Sequence, residues 1–244
     1  MKREESDLNE IKALAKLFVY IEITKTKFSP AIIIHPIFES GIQYFKIDNE
    51  MKMIDITDDE EGLRKIQKQI CDEIDESKAV YDIYKIIRKS YRLTFIKYAY
   101  EHLSIKDMST LLADAWVTSE DPNQDVNVPL RTIVKWFKKC DKTTLMDEQE
   151  YQIYKDFPEF LTVYRGVGIN RNPRGLSWTT DYDKAKWFAH RFDTHQKQGY
   201  LLKADITKGD ILAYFDTRNE SEVVVNVFNL KERIFIKRER KTFN

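Results

Sequence analysis

A chain of 244 residues with 42% hydrophobic, 13% aromatic and 33% charged residues fits one large or two small globular domains and excludes a disordered chain. Net charge is zero but uneven: residues 151–244 hold 17 Lys+Arg against 12 Asp+Glu, a net of +5, so residues 1–150 carry −5. No apolar run reaches a membrane span, the start MKREESDLNE is too polar for a secretory signal, and Cys71 and Cys140 form neither a disulfide framework nor a metal-ligand spacing, so the expectation is a cytoplasmic protein without membrane or metal.

In chain order, the first hundred residues predict a helix, a hairpin and two long helices. Ala31-Ile32-Ile33-Ile34 and Ile42 to Ile47 are the expected strands, with Glu39-Ser40-Gly41 as the turn. Leu63, Ile66, Ile70 and Ile74 recur at helical spacing, as do Val80, Tyr84, Ile87 and Tyr91, and such stripes belong to a core. His35, before Pro36 in an apolar run, is expected to be structural. Ser104 with Asp107 predicts a capped start for the helix carrying Met108, Leu111, Leu112 and Ala115. Ser119 to Asp125 is loop by composition, Leu130 to Lys139 a further helix, and Met146 to Glu150 an acidic connector.

After residue 160 the texture changes. Leu161-Thr162-Val163-Tyr164 alternates like a strand and stops at Arg165-Gly166. A loop from Gly168 to Gly175 leads to a short strand, Leu176-Ser177-Trp178-Thr179. Thr180-Asp181 caps a helix whose apolar face is Ala185, Phe188 and Ala189. Trp178, Trp187 and Phe188 are assigned to the core. Tyr200 to Ile206, Ile211 to Phe215, Val223 to Phe228 and Arg233 to Lys237 are the remaining strand candidates. Many strands with one short helix predict an antiparallel-rich α+β unit, and with no GxGxxG or Walker loop a dinucleotide here would not sit on a Rossmann turn. The basic run Lys237-Arg238-Glu239-Arg240-Lys241 fits a solvated terminal strand better than a phosphate site. His190 and His195 flank the helix without further ligands for zinc.

Three segments stand in a telling order: TVYRG at Thr162–Gly166, GLSWTT at Gly175–Thr180 running into the helix, and Glu220-Ser221-Glu222 entering a Val-rich strand. Together they resemble the mono-ADP-ribosyltransferases of the Arg-Ser-Glu class. The resemblance covers residues 160–235, and the stretch from Trp116 is similar to the lead-in of phage-related bacterial members. It implies a catalytic domain over 146–244 with an ADP-ribosyltransferase-type split β-sandwich, preceded by a mostly helical region with a β-hairpin over 1–145. The implied activity is transfer of ADP-ribose from NAD⁺, a co-substrate, to a macromolecular acceptor, as an intracellular toxin or phage-related effector. NAD⁺ glycohydrolase action and an inactive binding module of the same fold are the competing readings.

By the resemblance, Glu222 is the carboxylate beside the ribose, and Arg165, Gly166, Ser177 and Thr179 hold NAD⁺. Glu220 serves the acceptor, which Arg218 and Asn219 in the preceding turn help to choose. A Glu as the first acid leans towards a protein arginine, with nucleic acid the alternative. Residues 1–145, net acidic and rich in amphipathic helices, are expected to recognise a protein partner, such as an antitoxin, or the substrate, with pure structural support as the alternative.

The chemistry explains these residue types. Cleaving the nicotinamide–ribose bond gives an oxocarbenium-like centre, which a fixed carboxylate stabilises. An arginine fork suits the phosphates, and a second carboxylate can take the acceptor's proton. On an extended segment Glu220 and Glu222 would face one side. Two departures from the family stand out: only eleven residues separate Arg165 from Ser177, and bulky Trp178 fills the middle of the serine motif, where alternation turns it towards the core.

Overall fold

Ile11, Ala15, Phe18 and Val19 fall on one face of α1 (Leu8–Val19), which starts where the Asp7 side chain accepts from the Glu10 N–H. A computed structural model describes residues 3–29, 31–47, 50–230 and 234–237, with backbone alone for 47 and 234–237. Arg238 to Lys241, most of the basic run, lie outside the described residues. The chain divides into two compact units, Met1–Leu111 and Leu112–Asn244.

In the first unit β1 (Thr24–Lys25) pairs antiparallel with β2 (Ile33–Ile34), and β3 (Ile42–Ile47) with β4 (Glu50–Asp55). Three helices follow: α2 (Glu60–Glu76), α3 (Val80–Ile86) and α4 (Arg92–Ala99). Ile66, Ile70 and Ile74 form the buried stripe of α2, as their spacing requires. The helix α5 (Ile105–Thr118) starts at Ser104, whose Oγ accepts from Asp107 N at 3.0 Å.

Two expectations for this unit fail. The second helical stripe is shorter than its spacing suggests: α3 stops at Ile86, and Tyr91 lies in a separate 3₁₀ turn. The hairpin between residues 31–34 and 42–47 does not form; only Ile32 bridges Ser40. The apolar run ends at His35, whose Nδ1 accepts from the N–H groups of Ile37 and Phe38 at 3.1 Å each. That leaves Nε2 as the donor to Ile21 O at 2.9 Å, so His35 staples a turn. The partner of β3 is β4, whose Glu, Met and Lys residues carry little strand signal.

The second unit is α+β. It contains α6 (Leu130–Lys139), α7 (Lys142–Leu145), α8 (Glu148–Asp156), β5 (Phe160–Val167), β6 (Ser177–Thr179), α9 (Tyr182–His190), β7 (Tyr200–Thr207), β8 (Ile211–Phe215), β9 (Glu222–Val225) and β10 (Ile234–Lys237). The six strands form one antiparallel sheet in the order β10-β7-β5-β6-β9-β8. Its two three-stranded halves are joined by a single residue pair, Tyr164 with Thr179. Residues 223–228 are strand only as far as Val225, after which the chain turns at Val227. Among the described residues, no helix is long and apolar enough to cross a membrane.

The division at Leu111/Leu112 differs from a boundary at residue 145, and the packing gives the reason. Phe137 on α6 stands 6.5 Å from the Phe215 ring on β8. The Met146 sulfur accepts from Tyr214 N at 3.3 Å. The expected acidic connector is the start of α8, where Asp147 and Glu150 form a capping box. Glu150 then turns its second oxygen to Asp216 N, 2.8 Å away. These helices cover the sheet, so residues 112–145 share its core.

Candidate active site

Arg165 sits near the end of β5, where strand alternation points it to the face carrying the seam of the sheet. Arg165 is 8% exposed, and its guanidinium is held by backbone oxygens: Nη1 donates to Ser177 O at 2.6 Å and Nη2 to Asn172 O at 2.9 Å. Burial lowers its pKa to about 10, against the pull of Asp121 and Glu222, so it stays charged at neutral pH. Its Nε is buried without a hydrogen-bond partner.

Glu222 opens β9, where it faces Thr179 of β6 on one side and Phe215 of β8 on the other. It is 7% exposed, and burial raises its pKa. Hydrogen bonds from Ser177 and Trp116 and the charge of Arg218 oppose that rise, whereas Glu220 adds to it. The Trp116 indole donates from Nε1 to Oε1 at 2.9 Å. Asn123 completes the group: its Nδ2 donates to Ser177 Oγ at 2.9 Å, and its Oδ1 accepts from Leu176 N at 2.5 Å.

Arg165, Ser177, Glu222 and Asn123 line one cleft in the second unit, together with Glu220, Arg218, Gly166 and Thr179. The cleft encloses about 120 Å³, less than the roughly 300–1,000 Å³ that holds a drug-sized ligand whole. The loops on either side are tied by an ion pair between Arg171 and Asp121. At the mouth, the Arg191 guanidinium lies 4.9 Å from the Phe188 ring and 4.8 Å from the Phe192 ring.

The sequence-predicted residues thus converge, but three do so differently from expectation. Glu220 and Glu222 are not related by the pleat of one strand. β9 begins only at Glu222, and Asn219 and Ser221 have φ of 53° and 46°, so a left-handed turn brings Glu220 to the cleft. Gly166 lines the cleft, yet its need for glycine comes from α9: a Cβ there would fall 2.5 Å from Ala189 N. The Thr179 hydroxyl ties the loop down, donating to Glu220 O at 3.1 Å and accepting from Asp181 N at 3.1 Å.

Asn219 marks the turn with its backbone, and Lys184 lies 3.4 Å from its Oδ1. Arg218 reaches back to Glu220, Nη2 to Oε2 at 3.0 Å. Trp178 is buried as expected, with its indole N–H on Gly175 O at 3.1 Å. Trp187 is 58% exposed and Phe188 is half-buried at the cleft, so neither belongs to the core proper. His190 pairs through Nδ1 with Asp193 at 2.7 Å, and no group of His, Cys, Asp and Glu among the described residues gathers as a metal site.

Trp116, Asn123 and Gly175 are the site residues that sequence reasoning missed. In the sequence Asn123 belongs to a polar loop, Trp116 starts the lead-in and Gly175 opens GLSWTT, and none of the three carries a chemical signal of its own. No family model, no curated protein and no solved structure matches the chain.

Proposed function

We propose that the second unit cleaves the nicotinamide–ribose bond of NAD⁺ and transfers the ADP-ribose to a macromolecular acceptor. One observation carries the reading: a buried carboxylate, Glu222, sits in a cleft with a buried guanidinium, Arg165, that has a donor to spare. The join of the sheet at Tyr164 and Thr179 supports an ADP-ribosyltransferase-type split β-sandwich.

In the proposed reaction the carbon–nitrogen electron pair leaves with neutral nicotinamide, and positive charge builds on the ribose. Glu222 stabilises that charge in a site drier than bulk water, where a fixed carboxylate counts for more. Arg165 holds a phosphate or ribose oxygen through Nε. The acceptor's nucleophile then bonds to the anomeric carbon, and its proton passes to Glu220. The Arg218–Glu220 contact supports a guanidine acceptor, because that carboxylate already takes a guanidinium at 3.0 Å.

The test is incubation with NAD⁺ labelled on its adenylate half and a cell lysate, followed by protease or nuclease digestion. Label lost to protease identifies a protein acceptor, and label lost to nuclease a nucleic acid. NAD⁺ consumed without macromolecular label selects glycohydrolase action. NAD⁺ left intact rejects the enzyme.

A further inference from the structure

We infer that Trp116 and Asn123, from the segment preceding the sheet, are positioning residues that hold the Glu222 carboxylate as an oriented anion. The inference rests on the proposed use of Glu222 in catalysis, but the hydrogen-bond chain that carries it is independent of NAD⁺.

The chain can be read donor by donor. Both oxygens of an ionised carboxylate can only accept. The Trp116 indole can only donate, and it is fully buried at the end of α5 with its N–H on Glu222 Oε1, 2.9 Å away. Its ring packs edge-on against Phe137 with centroids 5.2 Å apart, which fixes the direction of that N–H. Ser177 has one hydroxyl proton. Asn123 donates to Ser177 Oγ, so the serine proton is free to point elsewhere, and an O–H turned towards Glu222 would lower the carboxyl pKa. The Asn123 amide is itself oriented, because its Oδ1 accepts from Leu176 N and only Nδ2 can then face the serine. Each polarised bond strengthens the next.

Every donor therefore favours the charged form of Glu222 against its burial. The other charges facing it are Arg165 from β5, and Arg218 and Glu220 from the turn before β9. Of these Arg218 already serves Glu220, and Arg165 bonds backbone oxygens. Trp116 is left as the hydrogen-bond donor that aims the carboxylate, with Asn123 acting through Ser177, and both favour the ionised form together with the charge of Arg218.

Two variants test this without disturbing packing. Trp116→Phe keeps a ring on Phe137 and removes only the N–H. Asn123→Asp keeps the bond to Leu176 N but presents an oxygen to Ser177, which turns the serine proton away from Glu222. The readout is the Glu222 carboxyl pKa in full-length protein, from ¹³C NMR of glutamate-labelled samples assigned with Glu222→Gln. Each variant is expected to raise that pKa by roughly one pH unit, and to move the acid limb of the NAD⁺-cleavage profile by the same amount with KM for NAD⁺ unchanged. A Glu222 pKa unmoved in a folded variant overturns the inference, even where turnover falls. Wild-type protein that never cleaves NAD⁺, with the NMR shifts present, sinks the functional reading and leaves the hydrogen-bond assignment intact. Should Trp116→Phe fail to fold, Asn123→Ala decides, because it removes the donor to Ser177 without adding the charge that in Asn123→Asp would itself raise the Glu222 pKa.

Discussion

Gly175 leaves the space that the Arg165 guanidinium fills: a Cβ at that glycine would stand 2.5 Å from Cζ. The loop from Gly168 to Gly175 passes directly over the arginine, and Asn172 in the same loop supplies the oxygen that Nη2 bonds. The shortness of this loop, eleven residues between Arg165 and Ser177, is thus part of how the arginine is held.

From this follows the first prediction. Gly175→Ala forces the guanidinium or the loop to move, at a cost of about 1–3 kcal/mol in stability. NAD⁺ affinity is expected to fall at least tenfold, and equally in Arg165→Lys, which keeps the charge but cannot bond Ser177 O and Asn172 O together. Calorimetry that finds both variants binding NAD⁺ like wild type would place Arg165 outside the ligand site.

The second prediction separates catalysis from stability at Glu222. Glu222→Gln is nearly isosteric, keeps an oxygen for Trp116, and removes the anion opposite the oxocarbenium centre. NAD⁺ cleavage is expected to drop ~10²–10³-fold. The folded-state pKa is raised, so the folded protein binds this proton more readily than the unfolded chain, and stability falls as pH rises through the carboxyl range. The neutral amide escapes that loss, so the variant is expected to melt at or above the wild-type temperature at pH 7. Undiminished turnover in a well-folded variant excludes Glu222 from the chemistry.

The sequence carries half of this site openly. Arg165, Ser177 and Glu222 each lie at a strand end, and the strands around them have the β-branched and aromatic residues that make pairing legible. They converge because β5, β6 and β9 are neighbours in the sheet, an order that no local pattern announces. Trp116 and Asn123 were hidden for a physical reason. An indole on an apolar helix face reads as core, which Trp116 also is, and an Asn in a polar loop reads as a turn residue. Their partners are 106 and 54 residues away, and no local pattern encodes such distances. The failed hairpin has the same origin. Ala31 to Ile34 is the most strand-like run in the first unit, yet the His35 side chain ends it by taking backbone donors that a strand would have used.

Glu220 gives the third prediction. It reaches the cleft through a turn that Asp216 closes by accepting from Ser221 N at 2.7 Å, and it is paired with Arg218. Since it has no hydrogen bond to Trp116, Ser177 or Glu222 and is held by Arg218, Glu220→Ala is expected to lower macromolecular labelling at least tenfold more than nicotinamide release. Equal loss of both activities would move Glu220 into the NAD⁺ site and remove the case for a guanidine acceptor.

The fourth prediction concerns pH and the first unit. Burial lowers the His35 pKa to about 4, with Arg88 adding to the effect and the Ile21 hydrogen bond opposing it. The unfolded chain, with an ordinary histidine near 6.5, then binds more protons between those values. Stability is full above pH 6.5 and is lost as pH falls towards 4, by about 1–3 kcal/mol after allowance for residual solvation. Urea midpoints measured at pH 7, 5.5 and 4.5 check it against His35→Gln, which cannot titrate. The difference in stability between wild type and variant is expected to shrink as pH falls; a constant difference rules out His35 as the source.

The last prediction is about where a catalytic fragment must begin. Residues 146–244 contain every residue that the family resemblance named, yet they lack Trp116, Asn123 and the helix α6. Without α6, Phe215 loses the ring of Phe137, and apolar surface of β8 is opened to water at ~25 cal/mol per Å². A fragment starting at residue 146 is therefore expected to be insoluble or molten. A fragment of residues 104–244 keeps α5 whole with its Ser104 cap, the donors to Glu222, and the helices that cover the sheet. It is expected to fold and to cleave NAD⁺ within threefold of the full chain. Circular dichroism melts and nicotinamide release measure both. If the longer fragment also labels the native acceptor with full selectivity, residues 1–103 have no part in choosing it. If the shorter fragment folds and cleaves NAD⁺ as well as the longer one, the segment from Trp116 to Asn123 contributes nothing to the site.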